Sequence, residues 1–134
     1  MLHGVAHDLK LHKRMQKIIW CCPNTQTFVT FAVTNYANPE VIWKTLYDAY
    51  EYISGYVWAH GDSIMPTGSF RWPADSPVIL EIYNANNHQT TCGVMASAIW
   101  ALADWMHMNG VVGGGTFNIY DGQNQVGTGR ISDV

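Results

Sequence analysis

Apolar residues recur at helical spacing in two long stretches, and alternate with polar ones in the shorter runs around them. From Pro39 to about Ala59, Ile42, Leu46, Ala49, Ile53 and Val57 fall on one stripe, which predicts an amphipathic helix. Asn38-Pro39-Glu40 is a strong start: Asn38 accepts from free backbone N–H groups, Pro39 suits the first helical position, and Glu40 suits the positive end of the dipole. Tyr47, Tyr50, Tyr52, Tyr56 and Trp58 widen the apolar surface beyond one face. Gly55 weakens the middle by roughly 1 kcal/mol relative to Ala, and His60-Gly61-Asp62 ends the helix. A second helix spans Thr90–Asn109 and closes at Gly110. Val94, Met95, Ala98, Leu102, Trp105 and Met106 share its face, and Asp104 is its one residue charged at neutral pH. Gly93, Ala96, Ser97, Ala101 and Ala103 are small enough to admit close packing. A helix this apolar needs a sheet beneath it.

The strand-like runs are Thr25–Thr34, Ser63–Trp72 with a break at Pro66, Val78–Tyr83 and Thr116–Tyr120. Gln125–Ile131 would add the second arm of a hairpin. Ile18–Trp20, followed by Cys21-Cys22-Pro23, opens the domain, and Val111–Gly115 reads as a flexible joint. The order β-α-β-β-α-β predicts an α+β fold of the ferredoxin-like, split β-α-β plan, with two helices packed on one antiparallel sheet of four to five strands. That plan leaves one sheet face bare. With so many aromatics, two copies closing face to face would form a homodimer.

Composition adds limits. A chain of 134 residues suits one domain with a real core. Its charged fraction of 13% is about half the usual roughly 25%, which fits extra buried surface or a secreted life. Residues 1–17 form a polar, basic arm, with Lys10, Lys13, Arg14 and Lys17 against Asp8. Residues 18–134, the single α+β domain, hold only Lys44, Arg71 and Arg130 against nine acids. The domain is acidic and lacks the basic stripe of a nucleic-acid binder. No stretch reaches the roughly 20 apolar residues of a membrane span. No signal peptide is visible in Met1–Gln16, so the alternative to secretion is a cytoplasmic protein.

Candidate chemistry gathers in two polar loops, His60-Gly61-Asp62-Ser63 and Asn84–Gln89. Helices run antiparallel to their strands, so both loops fall at one end of the sheet. His88 with Asp62 or His60 would make an acid–base pair near neutral pH. Asn-rich loops also make turns and caps without further function. Asn86, Asn87 and Cys92 beside this loop, with Trp58 on the first helix, are the ligand-binding candidates. Three cysteines, Cys21, Cys22 and Cys92, read as thiols, with a bridge from Cys21 or Cys22 to Cys92 as the alternative. His3, His7 and His12 are spaced for an adventitious metal at most. No spacing supplies a dedicated metal site, and the Gly runs are not phosphate loops, so no cofactor is implied.

Three stretches carry a resemblance: Ile64–Phe70, Asn84–Val94 with the Ala-rich helix after it, and Thr116–Gly129. Over about Thr25–Ile131 the chain resembles a group of small fungal proteins usually described only as hypothetical, many with secretion signals. The resemblance implies a secreted context and no catalytic residues. The present N-terminus departs from that pattern. The expectation is a small secreted-type interaction or small-ligand-binding protein. The alternative is a cofactor-independent enzyme (an isomerase, cyclase or hydrolase) using His88, His60 and Asp62. A cavity of a few hundred Å³ with His88 pointing into it would favour the enzyme, and an exposed His88 would favour binding.

Overall fold

The computed structural model describes residues 18–35, 38–72 and 78–133. The N-terminal arm with His3, His7 and His12, and the turn expected at 73–77, lie outside the described residues. Two helices pack on one face of a six-stranded antiparallel sheet, an α+β architecture. The elements are β1 (Ile18–Cys21), β2 (Thr27–Asn35), α1 (Pro39–His60), β3 (Ser69–Trp72), β4 (Val78–Asn84), α2 (Cys92–Asn109), β5 (Gly114–Asp121) and β6 (Asn124–Asp133).

The sheet order is β1-β2-β5-β6-β4-β3. The expected count of four to five strands is therefore corrected to six. Ile18–Cys21 pairs with β2 along its whole length, and Gln125–Ile131 belongs to a full strand paired on both sides. A ferredoxin-like sheet sets the strand before the first helix beside the strand before the second. Here β5 and β6 stand between β2 and β4. The split β-α-β unit is β4-α2-β5, two strands of one direction with the antiparallel β6 between them.

Both helices start and stop where local chemistry dictates. Asn38 Oδ1 accepts from the N–H groups of Glu40 (2.9 Å) and Val41 (3.4 Å), and Gly61 closes α1 at φ 81°. Gly110 closes α2 in the left-handed region. α2 lies over β1, β2 and β5, and α1 over β4. The core between them holds Ile42, Leu46 and Ile53 of α1, Ile99, Leu102 and Met106 of α2, and Phe31, Leu80, Ile82, Phe117 and Ile119 of the sheet. Asp104, the single charge of α2, accepts a 2.8 Å hydrogen bond from Trp20 Nε1 and so fastens β1 to the helix.

The glycine run expected as a flexible joint instead enters β5. A Cβ at Gly115 would collide with the Ala32 carbonyl across the β2–β5 pair, so only glycine fits. Among the described residues no helix is long and apolar enough to cross a membrane.

The sheet face that no described element covers carries a polar cluster. Glu81 Oε1 accepts from Arg130 Nε at 2.7 Å, Glu81 Oε2 accepts from Tyr83 Oη at 3.1 Å, and Arg71 Nε lies 3.5 Å from that second oxygen. The hydrogen bond from Arg130 is the main cause that holds the Glu81 carboxyl below its usual range; the Tyr83 hydroxyl and both guanidinium charges add to it, and burial opposes it. Ile19 and Tyr83 also expose apolar surface on this face, but most of the large apolar side chains left to solvent are on α1, where Trp43, Tyr47, Tyr52, Tyr56 and Trp58 are exposed.

Candidate functional site

The two polar loops do come together at the start of α2, and there they hold the backbone. Ile64 bridges Thr91. The Met65 N–H donates to Thr90 O (2.9 Å) and the Cys92 N–H to Ser63 O (2.8 Å). Asp62 Oδ1 accepts from the Gly93 N–H at 2.7 Å, while Thr91 Oγ1 accepts from Val94 N–H at 3.2 Å. A helix start has free N–H groups and the positive end of a dipole, and Asp62 answers both. The buried Thr90 hydroxyl donates to Val126 O (2.8 Å), and the Thr90 N–H donates to Asn84 Oδ1 (2.8 Å).

The other residues singled out from the sequence are placed as follows. Asn86 and Asn87 both adopt positive φ, and Asn86 Nδ2 donates to Gln125 O at 3.2 Å. Asparagine tolerates this left-handed conformation, so the pair builds the turn before α2. His88 is exposed, and its backbone N–H closes that turn onto Ala85 O. His60 is exposed and lies against Tyr56, ring centroids 4.6 Å apart. Trp58, 92% exposed, flanks a shallow groove with Gly93 and Ala96. Cys21, Cys22 and Cys92 are all free thiols, and Cys92 is buried. Among the described residues no three His, Cys, Asp or Glu side chains are grouped to hold a metal.

Of these candidates, Cys92 reaches a substantial cleft. A cavity of about 290 Å³ opens between the C-terminal half of α1, the turn before β3, β3 itself and the first turn of α2. Its floor is buried and apolar: Ile53, Met65, Cys92 and Met95. Its walls are aromatic, with Tyr52 and Tyr56 on one side and Phe70 on the other. Thr67, Ser69 and Arg71 supply the polar rim. His60, Asp62 and His88 are not among its lining residues.

The local sequence explains the shape. The Ile64–Thr91 bridge pins Met65 to the start of α2. Pro66-Thr67-Gly68 then makes one 3₁₀ turn, with Thr67 at φ 56° and Gly68 at φ 73°. That reversal sends β3 along the sheet edge, where Trp72 meets Tyr52 at 5.1 Å. Sequence spacing gives no sign of the cleft, because its lining comes from four segments between Tyr52 and Met95. Compared with protein-family models, curated proteins and solved structures, the chain gives no significant match.

Proposed function

We propose that this protein binds a small, mainly apolar molecule in the cleft between α1, β3 and the start of α2. The observation that carries the reading is the lining, in which a buried Ile53-Met65-Cys92-Met95 floor meets aromatic walls and a short polar rim. Ligand sites combine an apolar enclosure with a few polar groups that orient the guest. A volume of about 290 Å³ suits one or two rings. Arg71 borders the rim from the sheet edge; with Arg130 it shares the Glu81 carboxylate on the opposite sheet face, so among the described residues this edge holds two guanidinium groups against one carboxylate. An acidic group on the ligand fits there. Methionine and tyrosine adapt to ring-shaped guests at low cost.

The enzyme alternative draws less support. His88 is exposed and belongs to a turn, and Asp62 is engaged by the Gly93 N–H.

Calorimetric titration with naphthalene-2-carboxylate and with neutral 2-naphthol tests the reading. The carboxylate binds the wild-type protein. Arg71→Gln weakens the carboxylate and leaves the naphthol unchanged, while Met95→Trp, which fills the floor, removes both. Binding of both compounds to a folded Met95→Trp variant at wild-type affinity would overturn the assignment. Protection of Cys92 from alkylation by bound carboxylate gives an independent readout.

A further inference from the structure

Another cleft, on the outer side of the helix pair, has a different chemistry. It lies between the N-terminal half of α1 and the C-terminal half of α2 and encloses about 350 Å³. Four large rings border it: Trp43, Tyr47, Tyr50 and Trp100. Two carboxylates, Glu51 and Asp104, stand among them. His107 closes one end against Trp43, ring centroids 5.9 Å apart. Among the described residues no Lys or Arg lines the space. The nearest lysine in sequence, Lys44, is held on the next face of α1 by Asp48 at 2.6 Å.

We infer that this cleft binds a small N-methylated ammonium compound. Ring faces carry negative potential and attract a cation, tryptophan most strongly. The two carboxylates supply the opposing charge. A primary ammonium would require hydrogen-bond acceptors on three sides. The carboxylates supply some of these, and the four bordering rings favour a methylated nitrogen, whose charged methyl groups pack on them and need no acceptor. Asp104 is fixed in place, since one of its oxygens accepts from Trp20 Nε1 at 2.8 Å. Its other oxygen has no partner among the described residues. The site shares no lining residue with the cleft beside β3, so it stands or falls on its own.

The test is a tryptophan-fluorescence and calorimetric titration with choline, set against 3,3-dimethylbutan-1-ol, the neutral carbon isostere of the same shape. Choline binds and the neutral isostere does not bind measurably at the same concentrations. Trp43→Leu weakens choline by roughly two- to thirty-fold, the range expected for one lost cation–ring contact. Glu51→Gln, an exposed change that leaves packing intact, also weakens it. Tyr56→Ala, in the other cleft, leaves it unchanged. Equal binding of the isostere, absence of choline binding, or unchanged affinity in folded Trp43→Leu and Glu51→Gln would each overturn the inference.

Discussion

At the start of α2, polar side chains from several separate segments direct their hydrogen bonds at the backbone: Asp62 at Gly93, Asn84 at Thr90, Asn86 at Gln125, and Thr90 at Val126. Along α1, aromatic side chains instead border two spaces that no part of the described chain fills. The loop region is rich in groups of reactive type, and four of them (Asp62, Asn84, Asn86 and Thr90) are already bonded to backbone. The aromatic region has the composition of packing surface and keeps its capacity free. A polar residue signals function only after its backbone obligations have been met, and an aromatic residue signals packing only if something packs on it.

Substitutions separate the two regions by size and by readout. The largest effect belongs to Ile53→Ala. This side chain is both cleft floor and buried core, and its truncation costs about 2–5 kcal/mol in chemical denaturation. Thr90→Ala follows, at about 1–1.5 kcal/mol, because the buried bond from its hydroxyl to Val126 O is lost, while the Ala85 N–H still donates to that carbonyl. The exposed Asp62→Ala costs about 1 kcal/mol as a lost cap, and Asp62→Asn recovers most of it. Recovery by Asn would show that the carbonyl-type acceptor on the Gly93 N–H, and not the negative charge, carries the stabilisation. His88→Ala changes stability by less than about 0.5 kcal/mol and leaves naphthalene-2-carboxylate binding as in the wild type. A loss of binding there would return the active region to the loops.

The uncovered sheet face offers a further contrast, since its polar groups bind one another. Glu81 titrates lower in the folded protein than in the unfolded chain. Its contribution is therefore complete above the ordinary glutamate value of about 4.3 and is lost as pH falls through the lowered folded value. Denaturation midpoints followed from neutral pH down to acid should decline in the wild type. Arg130→Met removes the largest cause of the shift and should flatten that decline.

What the sequence shows and hides follows the same division. Asn38-Pro39-Glu40 and Gly61 mark the bounds of α1, and the structure places the helix at Pro39–His60. Local caps act within a few residues, so local pattern finds them. β1 is hard to find because four residues carry little periodicity; what defines it is the register with β2 and the bond from Trp20 to an aspartate 84 positions away. In the sequence Asp62 has the setting of a general acid, because its true partner, the Gly93 N–H, lies 31 residues on. The glycines after α2 read as loose because the neighbour that forbids a side chain at Gly115, the Ala32 carbonyl, belongs to another strand. Neither cleft has a contiguous signature, since each is a meeting of both helices with their surroundings.

The place of β6 has a bearing on how the molecule is assembled. It joins β1-β2-β5 to β4-β3, and it is the latest of the six strands in sequence. During synthesis from the N-terminus, both half-sheets therefore emerge before the strand that joins them. β4 and β5 each wait with an open edge, which is the kind of edge that pairs with other chains. The hairpin turn Asp121–Asn124 delivers β6 to β5 locally, whereas the docking of β4 onto that hairpin is a contact between strands some 40 or more residues apart, the kind that loop-closure entropy slows. Chaperone demand on the ribosome should accordingly centre on the β4 edge, released only when β6 clears the exit tunnel.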